Sequence, residues 1–243
     1  MNLLYERYHS KRKTQKRVIS DNDFTYLSIL KLLQKYGIKD KDILDIGCGV
    51  GTIDLYLAKN GAKVFGIDIS HKGIIIAKEN AKKLHMTENL EFKVFNFPYK
   101  IPLAKYDIII CSEILEHIKD DKLAVKKMVS LLRPKGIIIA SSPSYQSLLY
   151  RYGKLKKFDE EVGHLRRYNE RSYKSLFINV GLRIKELKKI QGFLRDFLFT
   201  NKIGGFLLRF INKWPFSIIF TFLDDLTIPF FGESNIILVA QRK

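Results

Sequence analysis

The chain has 243 residues, enough for one elaborated α/β domain, and its 46% hydrophobic and 12% aromatic content excludes wholesale disorder. Its net charge of +18 is unevenly placed: six basic side chains against Glu6 make residues 1–20 +5, and twelve against five make residues 151–190 +7. Only two cysteines occur, Cys48 and Cys111, with no CxxC spacing, which excludes a disulfide framework and a thiolate zinc site and suits a reducing cytoplasm.

The N-terminus opens MNLLYERYHSKRK, without an apolar stretch behind a basic start, so no secretory signal is expected. Residues 21–37 predict an amphipathic helix with Phe24, Leu27, Leu30 and Leu33 on one face. From residue 42 to about 141, strand-like apolar runs alternate with helical patterns, the sign of successive βα units around a parallel sheet. Predicted strands cover 42–46, 63–67, 90–95, 106–111 and 137–141. Helices are expected after Gly51, with Asn60-Gly61 as the stop, over 71–85, and over 120–132 before Arg133-Pro134-Lys135-Gly136. The pattern then loosens through 142–169, resumes as a helix over 170–180 and an extended run over 182–190, and closes with a strand over 235–241. The fold class expected is α/β, Rossmann-like: a mostly parallel seven-stranded sheet with helices on both faces. One domain is expected, with an N-terminal helical cap (1–40), a cofactor-binding core (41–141) and an acceptor half (142–243).

The first strand runs into Asp45-Ile46-Gly47-Cys48-Gly49-Val50-Gly51-Thr52. A cofactor at the end of that strand needs close backbone approach, which a Cβ would obstruct. Thr52 stands where a dinucleotide fingerprint places its third glycine, and Asp45 before the turn suits an ammonium better than a pyrophosphate. The second strand ends in Gly66-Ile67-Asp68, which places a carboxylate within reach of ribose hydroxyls.

From about residue 40 to 190 the sequence resembles the class I methyltransferases that use S-adenosylmethionine (SAM). The resemblance implies that Asp45, Gly47, Gly49 and Gly51 embrace SAM, with Asp68 on its ribose and Ile69 beside the adenine. Cys48, Phe97 and Cys111 join that expected cofactor set. Asn96 departs from the family pattern, which usually has an acid there, but it can still hydrogen-bond adenine.

After the fourth strand comes Ser112-Glu113-Ile114-Leu115-Glu116-His117. On a helical turn Glu113, Glu116 and His117 fall at i, i+3 and i+4 and face one point, a candidate Mg²⁺ or Mn²⁺ site. The segment resembles the Glu–Glu–His set of quinone-biosynthesis O-methyltransferases and of enzymes that methylate the terminal ribose of small RNAs. The alternative reading is metal-free pocket lining. His164 is a candidate fourth ligand, and His117 and His164 are the candidate bases. The stretch around His164 resembles methyltransferases loosely described as acting on quinones or surface glycans. There Arg166, Arg167 and Tyr168 are candidate acceptor contacts, against the plainer reading of solvated arginines.

Residues 192–231 carry ten phenylalanines and Trp214, with Arg195, Lys202, Arg209 and Lys213 among them. The longest uncharged piece within 206–231 is ten residues, against roughly 20 needed to span a bilayer. A lid, an interfacial helix on an anionic membrane, a dimer surface and simple core packing are the readings open to it; the expectation is a helical insertion over the acceptor entrance. The function expected is O-methylation of a small or lipid-linked acceptor, quinone-like or glycan, in the cytoplasm or peripherally at a membrane surface. An RNA ribose 2′-O-methyltransferase and a SAM-binding scaffold without turnover are the alternatives.

Overall fold

Short apolar strands, each followed by an amphipathic segment, build the sheet that carries the glycine turn. The computed structural model describes residues 2–10, 14–213 and 215–243. Lys11, Arg12 and Lys13 of the basic N-terminal segment, and Trp214, lie outside the described residues, as do the side chains of Lys202 and Arg209.

Helices α1 (Asn2–Ser10) and α2 (Leu27–Tyr36) precede β1 (Asp42–Ile46), α3 (Thr52–Lys59), β2 (Lys63–Asp68), α4 (His71–Lys83), β3 (Leu90–Val94) and β4 (Tyr106–Ser112). A 3₁₀ turn, Leu115–His117, leads to α5 (Asp121–Leu131) and β5 (Leu132–Pro143). Then follow α6 (Leu148–Arg151), α7 (Lys156–Val162), α8 (Glu170–Ile178) and β6 (Arg183–Ile190). The aromatic segment folds as α9 (Phe193–Thr200), α10 (Lys202–Ile211), α11 (Phe216–Asp225) and α12 (Ile228–Phe231), before β7 (Asn235–Gln241).

The seven strands order as β3-β2-β1-β4-β5-β7-β6. Strands β1 to β5 are parallel, and β7 runs antiparallel to both β5 and β6. The chain winds one way from β1 to β3 and the other way from β4 onward, so β1 and β4 flank the point where the order reverses. Loops leaving their C-terminal ends diverge and open a crevice there.

Alternation along β1 sends Leu44 and Ile46 to one face, against Val125, Met128 and Phe177, and Ile43 to the other, against Leu30, Leu33 and Leu57. Each such buried aliphatic chain contributes about 1.5–3 kcal/mol of transfer free energy. In β4, Ile108 to Ile110 are buried on both faces, as their continuous apolar run implies. Two boundaries differ from expectation. Strand β5 starts at Leu132 rather than 137, because Leu132 already pairs with Tyr106 before a register shift. The first long helix starts at Leu27 rather than 21, because residues before it are turns and Phe24 packs with Leu198 and Ile211.

Candidate active site

The glycine turn is fixed by the backbone of the neighbouring strand: the Gly47 and Cys48 amides both donate to the Ile67 carbonyl, at 2.7 and 3.1 Å. Gly47 has φ +79°, and a Cβ there would lie 2.0 Å from Ile114 Cδ1. Gly51 has φ +78°, and its Cβ would press to 2.9 Å from Phe92 Cζ, so this glycine packs the turn onto β3 and α4. Asp68, at the end of β2, accepts from the Gly49 amide (2.9 Å) with one oxygen and from the Ser70 amide (2.8 Å) with the other. Each oxygen keeps a lone pair for a ligand hydroxyl. Asp45 lies beside Asp54 in the interior. Burial pushes Asp45 up to about 7 and, with the charge of Asp45, Asp54 well above the ordinary carboxylate range.

These groups border a cavity of about 570 Å³, the size of a cofactor-plus-substrate pocket. Asp45, Gly47, Cys48, Gly49, Asp68, Ile69 and Phe97 all line it. Three expected cofactor residues do not. Gly51 lies behind the turn and Cys111 is fully buried within β4. Asn96 is exposed, and its carbonyl closes a turn by accepting from the Tyr99 and Lys100 amides. Burial raises the pKa of both thiols well above the ordinary value, so neither serves as a nucleophile.

Helix α1 roofs the cavity with Leu4, Tyr5, Tyr8 and His9. Its Glu6 carboxylate accepts from the His71 and Lys72 amides at 2.6 and 3.1 Å, capping the N-terminus of α4. Tyr5 meets His117 edge to face at 5.6 Å. On the far side, Asp196, Phe199 and Thr200 of α9 complete the wall.

The carboxylate–histidine cluster forms with a different membership from the one its spacing predicts. Glu113 adopts φ +57°, and the 3₁₀ turn begins only at Leu115, so the three side chains do not share one helical turn. Glu113 instead accepts from Ser141 Oγ (2.7 Å) and Asn235 Nδ2 (2.8 Å). Among the described residues, Glu116, His117 and His164 are the set whose ligand atoms lie within 4.8 Å of one another. Glu116 is fully buried; its Oε2 accepts from Ser142 Oγ (2.8 Å), while its Oε1 has no hydrogen-bond partner. Burial, then the charge of Glu113, raise its pKa well above the usual carboxylate range.

The two rings present matching edges. His117 Nδ1 is 3.0 Å from the Gly163 carbonyl, which can only accept, so Nδ1 carries the proton and Nε2 the lone pair. Burial, opposed by that backbone bond, lowers the His117 pKa to about 4 and keeps the ring neutral. His164 Nδ1 is 2.8 Å from Asp159 Oδ1, a contact that leaves its Nε2 unengaged. Gly163, at φ +83°, ends α7 and turns His164 back onto Asp159.

The basic stretch is held inward. Arg166 pairs with Asp121 (2.7 Å) and donates to the Lys119 carbonyl (2.9 Å). Arg167 lines the cavity, but it grips Asp159 in a fork, Nε to Oδ2 at 2.9 Å and Nη2 to Oδ1 at 2.6 Å. Tyr168 is buried and donates to Asp121 Oδ2 (2.7 Å). Neither arginine is a solvated cation waiting for an anion, and Arg166 and Tyr168 do not reach the cavity.

A family model described as a methyltransferase domain matches residues 38–193. The chain belongs to the class I SAM-dependent methyltransferase family. The matched span starts just before β1 and ends after β6, so it holds the glycine turn, Asp68, the cluster and the basic stretch. A ubiquinone biosynthesis O-methyltransferase of Coxiella burnetii is 34% identical over 119 residues, covering 49% of this chain and 50% of that protein. The chain thus spans about half the length of the curated relatives it matches. The magnesium protoporphyrin IX methyltransferase of Synechocystis PCC 6803, solved with bound S-adenosylhomocysteine (SAH), shares the fold at TM-score 0.65 and 18% identity, covering 98% of this chain and 93% of that one. A putative sarcosine dimethylglycine methyltransferase from Galdieria sulphuraria does so at TM-score 0.67 and 15% identity, covering 90% and 85%.

For a methyltransferase of this family the cavity fits SAM on its own terms: a turn whose Gly47 leaves no room for a Cβ, a carboxylate at the end of β2, and apolar walls at Ile69 and Phe97. Sequence reasoning missed Asp159, which orients His164, and Asp54, which is buried beside Asp45. It also missed the roof contacts of α1. Glu6, a lone acid within a basic segment, was the one visible signal of the last.

Proposed function

We propose that this methyltransferase methylates a hydroxyl of a small or lipid-linked acceptor, with His117 and His164, which line the cavity, acting on that hydroxyl and with Glu116 buried beside them. One observation carries the reading: two imidazoles, each with Nδ1 held by an oxygen, cluster with buried Glu116, whose Oε1 has no hydrogen-bond partner among the described residues and lies 3.9 Å from His117 Nε2. SAM supplies a methyl group already activated on a sulfonium. The protein's work is then to place the hydroxyl oxygen in line, exclude water and accept a proton. Tyr5 and His9 of the roof and Phe199 of α9 keep water out, and Nε2 of His117 or His164 takes the proton.

The same three residues would hold a Mg²⁺ or Mn²⁺ ion, which would supply Lewis acidity to lower the pKa of a hydroxyl. The donor set fits: a carboxylate and two imidazoles, with Gly163 and Asp159 behind the rings as outer partners that fix the tautomers. The similarity to O-methyltransferases of ubiquinone biosynthesis supports an oxygen acceptor. Internal pairing of Arg166 and Arg167 favours a small or lipid-linked acceptor over RNA, because neither guanidinium is left to meet phosphates.

The test is transfer of isotope-labelled methyl from SAM to simple catechols and to a lipid extract, with and without chelator. Label on oxygen, lost on chelation and restored by Mg²⁺ or Mn²⁺, is expected. Label on nitrogen or carbon only would overturn the oxygen reading. Full activity after exhaustive chelation would leave the cluster as a metal-free base.

A further inference from the structure

Helix α11 is inverted. Ser217, Thr221 and Asp224, spaced i, i+4, i+7, are its buried residues, while Phe216, Ile218, Ile219, Phe222 and Leu223 are exposed, Phe222 by 62%. Its polar stripe is locked inward by a buried cation. Arg195, 1% exposed, donates to Thr221 Oγ1 at 2.9 Å and stacks on Phe24 at 4.0 Å. Asp224 accepts from the Gly192 and Arg195 amides, both at 2.8 Å. A helix in water turns its apolar stripe to the core; this one spends its inward face on a hydrogen-bonded network and leaves its outward face apolar.

The neighbouring helices extend the same surface. Helix α10 packs Leu208 and Ile211 against Phe24 yet also exposes Phe206 and Phe210, and α12 exposes Phe230 by 78%. Among the described residues, twelve of the 22 exposed large hydrophobic side chains fall within residues 197–231. A concentration of that kind marks an interaction surface rather than scattered exposure.

Charge selects the occupant. From residue 197 to 231 the sequence has Lys202, Arg209 and Lys213 against two acids, of which Asp224 is buried and Asp225 is exposed at the end of α11. The exposed Lys213 holds its ammonium 5.8 Å above the Phe210 ring. Arg151 donates to the Phe231 carbonyl at 3.0 Å and so joins the basic stretch of α6 and α7 to α12. There Arg151, Lys154 and Lys156 are exposed beside Tyr152. A second copy of a +18 chain would bring like charges together around this face. An anionic bilayer offers both acyl chains for the rings and headgroups for the basic rim.

We propose that α10, α11 and α12 form a docking face for an anionic membrane surface, rimmed by Arg151, Lys154, Lys156 and Lys213. The face rests in the interface and does not cross, since no helix among the described residues is long and apolar enough to span. Helix α9 bridges the two regions: it exposes Phe197 and presents Asp196, Phe199 and Thr200 to the cavity. A docked molecule therefore brings the wall of its cavity to the lipid. The docking does not depend on the methyl-transfer reading, and its test needs no turnover.

The experiment is flotation of the full chain with vesicles of phosphatidylcholine alone and of phosphatidylcholine mixed with phosphatidylglycerol. Flotation with the anionic vesicles only, reversed by high salt, is the expected result. The double variant Phe222→Ser with Phe230→Ser should lose about tenfold or more of that partitioning, and Lys154→Glu with Lys156→Glu should weaken it while preserving fold. Retained SAH-induced thermal shifts check that both variants fold. No flotation of the native chain, equal flotation with both vesicle types, or a dimer in light scattering that Phe222→Ser dissolves would each overturn the proposal; the last would assign the face to a second copy.

Discussion

The half of the chain from β1 to β5 and the half after β5 solve different problems. In the first, the constraints are local: a turn that needs positive φ, an amide that needs an acceptor, a strand end that needs a carboxylate. Gly47, Asp68 and the Ile67 carbonyl meet within one βαβ unit, so their roles follow from their order in the sequence. In the second half the partners are remote or ambiguous. Arg166 finds Asp121, 45 residues earlier, and Arg195 finds Thr221 and Asp224 across two helices. A cofactor common to a family is held by backbone geometry, while the acceptor is met by side chains whose partners only the fold reveals.

The sharpest way to break that contrast is Glu116→Gln. It keeps shape and the Ser142 contact but removes the oxygen proposed to hold a metal. Turnover should fall by about 10²–10⁴-fold while SAH affinity stays unchanged. Because burial raises the Glu116 pKa, ionisation above the ordinary carboxylate range opposes folding; the amide removes that cost, so the melting temperature at neutral pH should hold or rise. A parallel loss of SAH binding, measured by calorimetry, would tie the cluster to the cofactor half and erase the distinction.

Asp68→Ala attacks the other half. Losing the charge-assisted contact expected to the ribose, together with support for Gly49 and Ser70, should weaken SAM binding by roughly 1–3 kcal/mol. Unchanged affinity in a folded variant would contradict the role of that carboxylate.

One constellation formed with other members than its spacing implied, and one helix was read only in part, for identifiable reasons. The i, i+3, i+4 spacing of Glu113, Glu116 and His117 presumes a helical turn, but Glu113 is left-handed and the turn begins two residues later, so His164 takes the place expected of Glu113. The apolar stripe of α11 is plain in the sequence, yet periodicity reports only that a stripe exists. That its polar side faces inward depends on Arg195, and nothing local announces a buried arginine. By contrast, the strand positions and the glycine turn were legible because period-2 burial and positive-φ glycines are properties of short segments.

A smaller effect comes from pH. His117 is neutral in the folded chain with a pKa of about 4, against roughly 6.5 unfolded. The unfolded state therefore binds the extra proton first. Stability associated with this ring is present above about pH 6.5 and declines as pH falls toward 4. His117→Asn should flatten that part of a thermal-denaturation profile; an unchanged slope would show that the ring is solvated. Smallest of all is Arg166→Gln. Its partly exposed pair with Asp121 is worth about 0–1 kcal/mol, and with no cavity contact its removal should leave the Michaelis constant of any acceptor unaltered. A large rise in that constant would return Arg166 to the acceptor site.

The most direct measurement is a calorimetric titration of the native chain with SAH and, separately, with NAD. One site per chain for SAH, undisturbed by chelator and weakened in Asp68→Ala, with no heat from NAD, is the predicted result. Saturable NAD binding without any response to SAH or SAM would contradict it.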